Sequence, residues 1–283
     1  MDSKKTHTIE TISFLSKLSD IYLFLDYASS AMSEPSVKQK ALGKWMYRAL
    51  NSLRDSKLVN REALPLEEFA AFQVRAEEAI EESFLEKFNH SNKTILNLSL
   101  VMMCTVMELF FEHIFTVVLK TNPKTLLGLS KDKNVTVEQF LNYSSYDEVL
   151  GEFISKSIDR IIRQGTKEIL KAFDTIGIKT SQVFSWSNFA EDAQLQFADW
   201  NSGKLVEVFD ERHSIVHDDA MPLESLEELL QRKEFFDMII ISMSVQTWRK
   251  FHNYGVILDI QEQMRGNVEA PGGNPTGSPP PPK

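Results

Sequence analysis

The stretch Glu211 to Ala220 reads ERHSIVHDDA and gathers an arginine, two of the chain's six histidines and three carboxylates. His213 and His217 are four residues apart, so on a continuous helix they stand one turn from each other on the same side. Two imidazoles so placed, with Asp218 following, can chelate a divalent ion, but the pattern lacks the glutamate of an HExxH arrangement and any cysteine ligand. Arg212 carries a charge it cannot lose and a planar fork suited to a carboxylate or a phosphate. A solvated, charge-rich helix end accounts for the same residues without chemistry, with Pro222 beyond it able to open the next helix.

The apolar pattern around these residues sharpens the question. Leu205, Val208, Phe209, Arg212 and Val216 fall on one face of a helix, which places Arg212 on the stripe expected to face the core. A guanidinium there needs a carboxylate, phosphate or carbonyl partner. A second anomalous charge, Glu108, interrupts LVMMCTVMELFF, where Cys104, Met107, Phe111 and Phe115 form the stripe. A Glu108–Arg212 pair satisfies both anomalies. So does a purely structural pair, or a side chain that snorkels to solvent.

The elements that must position these residues follow from periodicity and punctuation. Glycine and proline are sparse before residue 266 and apolar residues recur at three and four, so the chain is expected to be all-α. The patterns predict helices over 8–31, 35–57, 66–90 and 93–120, then 136–174 with breaks, 203–218 and 222–254. TNPKTLLGLSKDKN and GIKTSQVFSWSN read as loops, and residues 256–283 as a flexible tail rich in proline and glycine. Phe14, Leu15, Leu18, Ile21, Tyr22 and Leu25 make an amphipathic stripe that either packs inward or offers a dimer or regulatory surface. No internal repeat is evident.

Composition narrows the function classes. An apolar content of 42% over 283 residues suffices for a real core. A net charge of −9, from 40 acidic and 31 basic residues, argues against a broad footprint on duplex DNA while allowing a small basic cleft. The single cysteine, Cys104, makes neither a disulfide framework nor a cysteine-based zinc site within one chain and fits a reducing cytoplasmic setting. The N-terminal residues lack the apolar run of a secretory signal. The uncharged run from Thr94 to Met107 is too short to span a bilayer, so a soluble protein is expected, with no membrane partner. There is no GxxxxGK[ST], GxGxxG or GxSxG pattern, hence no sequence support for a bound nucleotide cofactor or a serine hydrolase. His113 is expected to be packed or solvated and not catalytic, and Trp186 and Trp200, which flank the approach to the motif helix, to serve core packing in preference to base stacking.

The run Arg212 to Asp218, RHSIVHD, resembles the signature of the HEPN superfamily: an arginine, often followed by a polar residue, and a histidine after four to six residues. The resemblance includes an apolar helix with an embedded acid, Glu108, about a hundred residues upstream. It covers residues 93–255 as a HEPN-like helical bundle, with residues 1–92 as an N-terminal helical extension. What it implies is a domain that dimerises, brings two motifs together over a cleft and cuts RNA without metal or cofactor. Arg212 would then hold phosphate and His217 would move protons, while His213 assists and Glu108 supports Arg212. HEPN ribonucleases are frequent as toxins and antiviral-defence effectors, which implies an antitoxin or defence-system partner. Other HEPN domains are non-catalytic interaction or RNA-binding modules.

Overall fold

In a computed structural model that describes residues 6–55, 66–129, 143 and 145–259, nearly every described residue lies in a helix or a short turn. The helices are α1 (Thr11–Ser33), α2 (Pro35–Asp55), α3 (Leu66–Thr121), α4 (Leu126–Leu129), α5 (Tyr146–Arg163), α6 (Thr166–Ile176), α7 (Thr180–Val183), α8 (Glu191–Gln196), α9 (Ser202–Asp218) and α10 (Leu226–Phe251). The all-α expectation holds.

The helix ends have local causes. Ser145 caps α5 by accepting from the Glu148 N–H, with Asp147 and Glu148 in its first turn and Arg160 and Arg163 in its last, as the helix dipole favours. Gly177 closes α6 at φ 87°, a left-handed conformation that glycine adopts without a Cβ penalty. A Cβ there would also lie 1.6 Å from the Lys250 Nζ, which donates to the Gly177 carbonyl at 2.9 Å.

Several boundaries differ from the sequence expectation. The helices predicted over 66–90 and 93–120 are one helix, α3, of 56 residues. It contains neither glycine nor proline to break it, and through the polar run HSNKT and just beyond, Ser91, Thr94 and Asn97 turn their side chains to carbonyls four residues back within the helix. The last long helix starts at Leu226 and not at Pro222, because Ser225 Oγ accepts from the Glu228 N–H and acts as the cap. Both expected loops hold short helices: TNPKTLLGLSKDKN contains a 3-10 turn over Pro123–Thr125 followed by α4, and GIKTSQVFSWSN contains α7 and a 3-10 turn over Trp186–Asn188.

A small sheet went unpredicted. Strand β1 (His7–Ile9) pairs in parallel with β2 (Val256–Leu258), His7 opposite Val256 and Ile9 opposite Leu258. The first helix therefore begins at Thr11, after β1, and Val256–Leu258, expected to open a flexible tail, form β2; residues 260–283 lie outside the described residues.

The chain divides into two compact units assembled from separated segments. The first comprises Met1–Ser16, Glu108–Ser202 and Asp237–Lys283. It is centred on aromatic contacts: Phe115 stacks on Phe173 at 4.1 Å, Phe111 meets Phe173 edge-on at 5.6 Å, and Phe14 meets Phe110 edge-on at 5.3 Å. His113 is packed here, its Nε2 accepting from the Glu10 N–H at 3.1 Å, and Trp186 is buried with its Nε1 donating to the Trp200 carbonyl at 2.9 Å. The second unit comprises Lys17–Met107 and Gly203–Phe236 and contains nearly all of α9.

By length and composition, α3 holds a stretch within Val74–Thr121 apolar enough to cross a membrane, and half of it is buried inside the protein. Cys104, Met107, Phe111 and Phe115 on this helix are all fully buried, as their spacing predicts.

Candidate functional site

Helix α9 is anchored by Leu205, Val208, Phe209 and Ile215, all buried, and Phe209 lies 6.3 Å from Phe236 of α10, ring to ring. Arg212 continues that stripe and is half-buried. Val216, expected to complete it, is instead 50% exposed, and Ile215 takes the inward position. Ile215 stands seven residues from Val208 and Val216 seven from Phe209, so each continues a helix face, and in the folded chain Ile215 is the one buried.

His213 and His217 are exposed, with ring centroids 4.4 Å apart and planes inclined by 45°. Asp218 is exposed beside them. The face they share is thus an aqueous one, while Arg212 sits at its inner border, with its stem against protein. Among the described residues, no group of three or more histidines, cysteines and carboxylates is placed to hold a metal ion.

Glu211, the acid that opens the motif stretch, does not face solvent with the histidines. Its Oε1 and Oε2 accept from Nη2 and Nε of Arg232, each at 2.9 Å, and Nη1 of the same arginine donates to the Glu228 carbonyl at 3.0 Å. Arg232 is 9% exposed, so all of this takes place in a poorly solvated setting where a bidentate pair fixes both distance and rotation. The pair ties α9 to the first turns of α10. Sequence reasoning passed over it, although the signal was present: Arg232 stands three residues from Leu229 and three from Phe235, on an apolar face, and so needed a partner for the reason given for Arg212.

The chain leaving the motif is also held. Asp219 adopts φ 53°, ending α9, and the Ala220 N–H donates to the Ser214 carbonyl at 3.2 Å. Four residues on, Leu223 is fully buried, and Asn97 of α3 takes both of its backbone groups. Asn97 Oδ1 accepts from the Leu223 N–H at 3.0 Å, and Nδ2 donates to the Leu223 carbonyl at 3.1 Å and to that of Lys93 at 2.8 Å. Lys93 pairs with Glu224 at the same place. One buried asparagine thereby satisfies a loop segment that would otherwise carry unpaired backbone groups into the interior.

Of the four residues singled out from sequence, Arg212, His213 and His217 stand together on α9. Glu108 belongs to the first unit, half-buried on α3. Compared with known proteins, the chain matches no family model, no curated protein and no solved structure.

Proposed function

We propose that this chain is a metal-independent endoribonuclease of the HEPN type, working as a homodimer in the cytoplasm as a toxin or antiviral-defence effector. The observation that supports it is the grouping on α9 of a half-buried arginine and two imidazoles exposed one turn apart, on a helix locked to α10 by Glu211 and Arg232. The two imidazoles are open to solvent, and the helix that carries them is held by the Glu211–Arg232 pair.

The chemistry fits those side chains. Histidine, with an ordinary pKa of about 6.5, exchanges protons at neutral pH. One His217 imidazole takes the proton from a ribose 2′-hydroxyl, and the 2′-oxygen forms a bond to phosphorus. The bond from phosphorus to the 5′-oxygen breaks, and a protonated imidazole supplies that oxygen with its proton. The products are a 2′,3′-cyclic phosphate and a 5′-hydroxyl. Arg212 holds the non-bridging oxygens as negative charge grows on them, and His213 assists at the same phosphate. With one motif histidine per chain, the second proton step falls to His217 of a second copy.

The alternative is a non-catalytic RNA-binding or interaction module, favoured by the net charge of −9 and by the exposed Asp218 and Asp219 beside His217, which repel a phosphate chain. Incubating the pure protein with total RNA in excess chelator separates the two. Fragments ending in cyclic phosphate support the enzyme; intact RNA with retained binding supports the module.

A further inference from the structure

We infer that His213 and His217 together form a two-imidazole site for zinc, or another first-row divalent ion that prefers nitrogen ligands, and that occupation of the site inhibits the helix face on which it lies. The ion-binding part stands on geometry alone. Its consequence for RNA cleavage rests on the ribonuclease reading above.

The two rings project from successive turns of α9, both exposed, with centroids 4.4 Å apart. Zinc takes imidazole nitrogen at about 2.0–2.1 Å, so two donors at a tetrahedral angle stand about 3.3 Å from each other. Exposed side chains one turn apart on a rigid helix reach that separation by turning about χ1 and χ2. The backbone that carries them is held in place: Ile215, between them, is buried, and Glu211 just before them is clamped by Arg232. Binding by the second imidazole is therefore intramolecular, with an effective concentration set by the helix and with little ordering left to lose.

Among the described residues, no third histidine, cysteine or carboxylate, Asp218 included, is placed to join the two imidazoles on one ion. The remaining coordination positions thus fall to water, which sets the character of the site. It is open, of modest affinity and exchangeable, unlike a closed structural zinc site with four protein ligands. An ion held there takes up the nitrogen lone pairs that proton transfer requires, and it places a fixed cation where the proposed reaction needs a base. Zinc then acts as a reversible inhibitor of the proposed enzyme and not as its cofactor.

The test uses the full-length, untagged protein and zinc chloride alone. Calorimetric titration is expected to show one ion per chain, with affinity falling roughly tenfold or more in His213→Ala and in His217→Ala, since either change removes the chelate advantage. Zinc is also expected to raise the melting temperature of the unaltered chain and not that of the double variant, because an ion bridging two turns binds only the folded helix. Undiminished binding in the double variant, or no binding at millimolar zinc, overturns the site. If the protein cuts RNA in chelator, added zinc should slow it and chelator should restore it. Zinc that occupies the two histidines without slowing cleavage overturns the inhibition and takes proton transfer away from them. Zinc binding by a chain that cuts no RNA leaves the site standing and removes only the ribonuclease reading.

Discussion

Arg232 of α10 takes both carboxylate oxygens of Glu211, the residue directly before Arg212, in two hydrogen bonds of 2.9 Å. The side chains are 11% and 21% exposed, so removing one partner strands the other in a poorly hydrated place. Arg232→Ala and Glu211→Ala are each expected to destabilise the protein by about 3 kcal/mol in urea unfolding. Arg232→Lys should recover little of the loss, since a point charge cannot make the bidentate contact. A double replacement by apolar residues of similar volume should unfold less readily than either single variant.

The inward turn of Ile215 and the outward turn of Val216 are separable by truncation. Ile215→Ala should cost about 2–4 kcal/mol as a large-to-small change at a buried site. Val216→Ala should stay within about 0.5 kcal/mol. Equal costs at the two positions would contradict the packing of α9.

At Asn97 the expected effect is local. Asn97→Ala leaves the N–H and carbonyl of buried Leu223 without their partner, at a cost of about 2 kcal/mol or more. Hydrogen exchange should quicken first over residues 219–225, the segment that joins α9 to α10. Uniform quickening across α3 instead would mean that Asn97 supports the helix and not the loop.

His217→Ala should abolish RNA cleavage and leave the melting temperature nearly unchanged, because the imidazole is exposed and lies outside the core. Arg212→Lys should lower cleavage almost as far. Normal cleavage in either variant removes that residue from the proposed mechanism.

If two chains share the chemistry, mixing inactive His217→Ala with inactive Arg212→Ala should restore activity in heterodimers whose composite site draws the histidine and the arginine from different copies. A protein that sediments as a monomer while cutting at full specific activity would place both proton steps within one chain, with His213 as the second group.

The sequence by itself determined the helical class, the buried stripe of α3 and the grouping of Arg212, His213 and His217 on one helix. These follow from residue spacing within a single element, and helical geometry converts spacing directly into shared faces. It also foretold a packed role for Trp186, since large amphipathic rings among apolar residues usually find internal partners. Only the tertiary structure decided which of Ile215 and Val216 turns inward, because each continues the helical period from a different core residue, Val208 or Phe209, and spacing along one helix does not choose between them. The same holds for the Glu211–Arg232 pair, the Asn97 clamp on Leu223 and the pairing of His7–Ile9 with Val256–Leu258. Each joins residues far apart along the chain, and neither a three-residue strand nor a single polar side chain carries enough periodicity to announce its partner.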